Sequence, residues 1–218
     1  MHSSKSGQRL NFLITAGGTR EYIDPVRFIS NASSGRMGYE LARAAAAAGH
    51  KVTLITGPSC LPAPVGVGVV DVETSAEMFA AVRENFDSCD CLVMASAVSD
   101  YTPVRAAARK MKKSSKAITL KLKPTPDILN WASSHRKRNQ VVIGFALEDK
   151  NIRANAERKM RDKNLDMIIA NTPLAIGSER CEVFVKMAGE NWIKIARAPK
   201  RTVARRLIRM IEQSAAVD

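Results

Sequence analysis

Small residues and backbone N–H groups gather at Ser33-Ser34-Gly35, with Gly38 just beyond, where a helix begins. Such a helix opening accepts phosphate, although a serine that merely caps the helix would leave the same letters. Just upstream, Asn31 offers an uncharged N–H donor and Arg27 a planar fork for phosphate or carboxylate. A second concentration, Ser96-Ala97-Val98-Ser99-Asp100-Tyr101, combines small residues that let a ligand approach the backbone with an acid able to hold a metal or a hydroxyl; a simple turn is the plain alternative. Arg109-Lys110-Met111-Lys112-Lys113 puts four cations in five residues. That density resists burial, so it is either an exposed charge run or a segment ordered by an anion such as a triphosphate. Lys159 and Lys163, four apart on a helix, share one face that points to phosphates or to water.

These residues need elements to hold them. Leu10–Ala16 reads as a buried strand stopped by Gly17-Gly18, Met37–Ala48 as a helix ended by Gly49, and Lys51–Thr56 as a second strand, together a β-α-β unit. The alternation continues with strands near 68–72, 91–95, 141–145 and 167–170. Helices are read near 75–86, from Asp127, and near 151–164. A hairpin around Gly189-Glu190-Asn191 and an amphipathic helix close the chain. The expected fold is α/β: a Rossmann-like, mostly parallel sheet with helices on both faces, plus a late β-hairpin. Residues 1–9 read as a disordered segment and 10–218 as one domain, with a mobile basic loop near 102–116. Ligands of such a sheet collect outside the carboxyl ends of its strands, where both loops named above fall.

The 218 residues carry 34 Lys and Arg against 21 Asp and Glu, a net charge of +13 that attracts phosphates of any kind. Arg105–Lys123 holds eight of the cations and no acid. A second group, Lys200, Arg201, Arg205, Arg206 and Arg209, fits the solvated face of a C-terminal helix. Four irregularly spaced cysteines, Cys60, Cys89, Cys91 and Cys181, read as reduced thiols rather than metal ligands. His2, His50 and His135 have no catalytic partner at a useful spacing. No apolar run reaches the ~18 residues that span a bilayer, and the polar start is no signal peptide, so a cytoplasmic protein without membrane association is expected.

Taken in order and spacing, ITAGGTREYIDPVRFISNASSGRMG, ASAVSDY, KMKK, TPDIL, VIGFALE and KNLDMIIAN resemble the phosphopantothenate–cysteine ligase family over about residues 10 to 172. The long first motif is the specific one. The resemblance implies that L-cysteine is joined to 4′-phosphopantothenate in coenzyme A synthesis, through an acyl nucleotidylate. It further implies CTP, with ATP as the alternative, as cosubstrate together with Mg2+, and a homodimer. Since many bacterial relatives carry the unit behind a flavin-dependent decarboxylase domain, the chain looks like a stand-alone ligase able to associate with a separate decarboxylase.

By the same resemblance Asn31 contacts the acyl group, Ser33, Gly35 and Gly38 hold nucleotide phosphates, and Gly18 belongs to the nucleotide site. Arg27 reaches a substrate phosphate of a neighbouring subunit, while Ser96, Ala97 and Asp100 line the pocket. Lys110 is the catalytic lysine of a mobile loop. Phe145 lies by the base, with Lys159, Lys163 and Asn171 nearby. The sequence departs from the pattern at Thr125, where Asn is common, at Thr172, where Asp is usual, and at Ser96, where Ala is common.

Two other classes share parts of this pattern. A short-chain nicotinamide reductase needs Tyr-x-x-x-Lys, but Tyr101 is followed four later by Arg105, and the long Asp24–Gly35 insertion has no place in it. A nucleic-acid-binding module calls for aromatic residues interleaved with the cations, and only Tyr101 lies near the basic run.

Overall fold

The structure, a computed structural model, describes residues 9–215. His2 and all but the last residue of the expected disordered segment lie outside the described residues. The chain opens with β1 (Asn11–Ala16), β2 (Arg20–Tyr22), β3 (Phe28–Ser30), α1 (Arg36–Ala47), β4 (Lys51–Thr56) and β5 (Gly68–Asp71). It continues through α2 (Ser75–Phe86), β6 (Cys91–Met94), β7 (Tyr101–Pro103), β8 (Leu122–Pro124), α3 (Ile128–His135) and β9 (Val141–Leu147). It ends with α4 (Ile152–Asp162), β10 (Met167–Asn171), a 3-10 turn at Pro173–Ala175, β11 (Arg180–Met187), β12 (Ile193–Pro199) and α5 (Lys200–Ala215).

Eight strands form one sheet in the order β12-β11-β10-β9-β6-β1-β4-β5. The six from β10 to β5 run parallel, and β11 and β12 add an antiparallel hairpin at the β10 edge. β6 is buried on both faces as Cys91-Leu92-Val93-Met94, which is why it reads as an unbroken apolar run rather than an alternation. Side chains of α1 and α5 pack on one face, against Phe12, Ile14, Val93 and Ile143. Those of α2, α3 and α4 pack on the other, against Leu13, Leu92, Val142 and Ile168. No helix among the described residues is long and apolar enough to cross a membrane.

Two close approaches fix the start of the fold. Gly17, at φ +76°, lies so near the chain after β4 that a Cβ would meet the Gly57 carbonyl oxygen at 2.9 Å. Gly38, in the first turn of α1, rests directly on β1, where a Cβ would come within 2.5 Å of Ala16 Cβ and 2.8 Å of the Thr15 carbonyl oxygen. Overpacking of this kind typically costs ~1–3 kcal/mol.

The connections hold what the expected alternation left out. β2 and β3 pair antiparallel inside the long loop after β1, and β7 pairs with β8 as a second two-stranded ribbon. The basic segment is therefore the connection of a ribbon and spans 104–121 rather than 102–116, because Tyr101-Thr102-Pro103 is strand paired to Leu122-Lys123-Pro124. It is also tied down: Ala107 N donates to the Ile23 carbonyl at 2.8 Å, and Met111 N to Asp24 Oδ2 at 3.1 Å.

Candidate functional site

A cleft of about 560 Å³ lies along the carboxyl ends of the parallel strands. Its floor comes from the ends of β6 (Met94, then Ala95 and Ser96), β9 (Phe145) and β10 (Asn171). One wall is the start of α1. Gly35, in the left-handed region at φ +75°, is the N-cap residue and makes no side-chain cap. Ser33 Oγ instead accepts from Gly35 N at 3.3 Å. The serine-capping alternative thus does not hold, and the first-turn N–H groups of α1, which have no intrahelical acceptors, stay available at the cleft.

Asn31 joins the two motif loops. Its side-chain amide donates to the Ala97 carbonyl at 3.0 Å and to the Val98 carbonyl at 3.2 Å. The N–H donor expected to face a ligand is therefore engaged with the loop after β6, leaving Oδ1 as its remaining polar atom. Beneath it, Thr15 Oγ1 and Ser96 Oγ lie 2.8 Å apart, and Ser96 N donates to Thr15 Oγ1 at 3.2 Å. Thr125 closes the same loop by donating Oγ1–H to the Ser99 carbonyl at 2.7 Å, while Thr125 N reaches the Asp100 carbonyl at 3.0 Å. The departures Ser96 and Thr125 thus add hydroxyls that fasten this loop.

The opposite wall belongs to α3 and α4. Lys159 Nζ donates to the Phe145 carbonyl at 2.7 Å, and Lys163 pairs with Asp127, the N-cap of α3, at 2.9 Å. Burial, then the neighbouring Lys163, pulls the Lys159 ammonium below the ordinary lysine value, against the pull of Asp127, Glu148 and Asp100. Asp127 is pushed up by burial, but the hydrogen bond from Lys163, the Asn130 N–H and the charges of both lysines hold it below its usual range. An anion placed here would favour the charged form of Lys159.

Asn31, Ser33, Gly35, Ser96, Ala97, Asp100, Phe145, Lys159, Lys163 and Asn171 all line this one cleft. Gly18, Gly38, Arg27 and Lys110 do not. The first two sit where backbones crowd: a Cβ on Gly18 would lie 2.9 Å from the Asn31 carbonyl oxygen, so it shapes the turn that presents Asn31. Arg27 is not a free fork. It grips the buried Asp24, with Nε donating to Oδ2 at 3.0 Å, and reaches the Met111 carbonyl at 2.9 Å. The Arg27 guanidinium, then the N–H groups of Val26, Met111 and Arg27, hold Asp24 well below the usual carboxylate range against its burial. Arg27 therefore latches the basic connection, on which Lys110 is exposed, to the loop after β1. Tyr101 lies on the β7–β8 ribbon, exposed and outside the cleft.

Sequence reasoning missed Lys200. Its place among helix cations suggested a solvated group, yet it is 6% exposed, lines the cleft and donates to the Ala175 carbonyl at 2.8 Å. Arg36 and Asp127 were also not singled out as cleft residues, though Asp127 stands in a quoted motif. Burial pushes the Cys89 thiol up to about 12 and Cys91 higher still, so both are poor nucleophiles and poor ligands. Among the described residues no group of three or more His, Cys, Asp or Glu is placed to hold a metal ion.

The family model of the DNA/pantothenate metabolism flavoprotein C-terminal domain matches residues 7–215. The coenzyme A biosynthesis bifunctional protein CoaBC of Bacillus subtilis is 44% identical over 167 residues, 76% of this chain and 41% of that protein. A cysteine/cysteine sulfinic acid decarboxylase of an unknown prokaryotic organism is 42% identical over 211 residues, 94% of this chain and 58% of that protein. The chain thus spans about half the length of these relatives. The crystal structure of the C-terminal domain of a CoaBC protein superposes with a TM-score of 0.85 at 35% identity, covering 99% of this chain and 100% of that one. With the family model matching residues 7–215, the chain belongs to the DNA/pantothenate metabolism flavoprotein C-terminal domain family.

Proposed function

We propose that the chain is a phosphopantothenate–cysteine ligase. The observation that carries this reading is the convergence, in one cleft, of an uncapped helix N-terminus, the Asn31 bridge and the Lys159/Lys163 pair. A carboxylate is a poor acyl donor until one oxygen becomes part of a leaving group. The 4′-phosphopantothenate carboxylate attacks the α-phosphorus of a nucleoside triphosphate and pyrophosphate departs. The amine of L-cysteine then adds to the acyl carbon, loses a proton, and expels the nucleoside monophosphate. The protein's part is to align the two anions and neutralise charge that develops on phosphoryl and acyl oxygens.

In this reading the nucleotide is CTP, with ATP as the alternative, and its phosphates lie at Ser33 and Gly35 with the base near Phe145. Asp100, Asn171, Lys159 and Lys163 complete the nucleotide site, and Ser96, Ala97 and Asn31 meet the acid. Mg2+ would be held by the triphosphate oxygens, with Asp100 the cleft carboxylate not paired with a lysine among the described residues, and would offset the negative charge of the phosphates. Lys110 closes over the intermediate from its exposed connection. A second copy of the chain covers Val26 and Phe28, with Tyr101 and Leu122 of the neighbouring ribbon and Leu120 of its connection, all exposed, and Arg27, half-exposed while it holds Asp24, presents its guanidinium to that copy's substrate. The protein works in the cytoplasm, in association with a phosphopantothenoylcysteine decarboxylase.

Pyrophosphate release from CTP or ATP with Mg2+ tests the reading. It is expected only when 4′-phosphopantothenate is present, with the amide appearing once cysteine is added. Release with any carboxylic acid, release with none, or carbon dioxide evolved from cysteine alone would overturn it.

A further inference from the structure

Lys200 opens α5 with its ammonium in the cleft, on the side of the sheet opposite Lys159 and Lys163. Its hydrogen bond goes to the neutral Ala175 carbonyl. No carboxylate among the described residues pairs with it. Two titratable groups neighbour it: the Cys181 thiol, which burial pushes up and so keeps protonated, and a second cation, Arg36 at the first position of α1, which lines the same cleft. Among the described residues, Arg36 has only the 81% exposed side chain of Glu179 as a counter-charge, at 3.1 Å. Burying an ammonium with one neutral acceptor, beside a guanidinium and the positive end of a helix, is unfavourable unless an anion completes the set.

We propose that Lys200, with Arg36, forms a phosphate-binding end of the cleft that takes the terminal phosphates of the nucleoside triphosphate, the part that departs as pyrophosphate. The shared chemistry is that of a phosphate oxyanion, which both the nucleotide and phosphopantothenate carry. The nucleotide is favoured because the site adjoins the α1 N-terminus and Gly35. The inference rests on the ligase reading. With Lys159 and Lys163 on the other side, the cleft then holds cations on both sides of the sheet edge. Ala175, Ile176 and Gly177, which Lys200 tethers, form the rim over this end.

Isothermal calorimetry of wild type, Lys200→Met and Lys200→Arg with CTP, CMP, pyrophosphate and 4′-phosphopantothenate tests it, with melting temperatures alongside. Lys200→Met is expected to weaken CTP and pyrophosphate at least tenfold while leaving CMP and phosphopantothenate within twofold, and Lys200→Arg to recover part of the loss. A purely structural lysine would lower the melting temperature and leave the ratio of CTP to CMP affinity unchanged, which would overturn the proposal. So would a selective loss of phosphopantothenate. Should Lys200→Met not fold, a crystal of the wild-type protein with CTP decides: Nζ within hydrogen-bond distance of a β- or γ-phosphate oxygen supports the assignment, and phosphates lying elsewhere refute it. Wild-type protein that binds neither CTP nor ATP would overturn the ligase reading as well, whereas equal CTP binding by wild type and Lys200→Met overturns this inference alone.

Discussion

Asn31 has one side-chain amide and two carbonyls to serve, those of Ala97 and Val98. Replacing it by Asp removes both donors and sets a carboxylate against two carbonyl oxygens, so the loops after β1 and β6 lose their bridge where the acid would bind. Misplacing reacting groups by about 1 Å in this way costs on the order of a hundredfold in rate. Asn31→Asp is expected to show that fall in single-turnover amide formation, with a smaller change in melting temperature; wild-type turnover would make Asn31 a loop residue only. The types and positions of Asn31, Ser33, Ser96 and Asp100 were legible as polar or small groups at strand ends. What Asn31 donates to was not, because its acceptors lie 66 and 67 residues away on another loop. Lys200 was illegible for a related reason: nothing local distinguishes a cation that turns inward from Arg201, which is exposed in the same helix turn.

Elements with strong local signals came out nearly residue for residue. α2 begins after Thr74, whose side chain accepts from Glu77 N at 3.2 Å while Glu77 reaches back to Thr74 N, a reciprocal cap visible as Thr-x-x-Glu. The ribbons were not visible, since strands of three residues such as Arg20–Tyr22 and Leu122–Pro124 carry too few positions to show a period. Their presence changes what the basic connection is: a loop with two fixed ends and a latch, Asp24 holding Arg27 and Met111 N. Lys110→Gln should slow amide formation while leaving the melting temperature nearly unchanged, because the side chain is exposed. Asp24→Asn should instead release the latch and speed protease cleavage between Arg105 and Lys116. Equal cleavage of wild type and Asp24→Asn would show that the ribbon alone holds the segment.

At the scale of the whole molecule, the six parallel strands and the helices on both faces followed from apolar runs alternating with helical periodicity. Sheet order did not, because β1 becomes central only through pairing with both β4 and β6. Long-range pairing also fixes where the cleft opens: the loops after β1, β6, β9 and β10 meet there although they come from distant parts of the chain. The charge of +13 distributes accordingly, part of it facing the cleft through Lys159, Lys163, Arg36 and Lys200, and part on the exposed connection and the outer face of α5.

His50 accepts through Nδ1 from Leu10 N at 3.2 Å, and its Nε2 lies 2.7 Å from Glu212 Oε1. One imidazole thus joins the entry to the first strand and the last turns of the final helix, on the outer edge of the α1/α5 layer rather than at the cleft. The first and last of the described residues therefore approach one another around His50. Joining residues 9 and 215 by a short Gly-Ser linker and cutting between Gly189 and Glu190, in the exposed turn of the β11–β12 hairpin, is expected to give a circularly permuted protein that folds with a melting temperature close to that of the parent chain. A permutant that fails to fold although the same linker, appended without the cut, is tolerated would mean that continuity of the β11–β12 hairpin, not closure at His50, governs assembly.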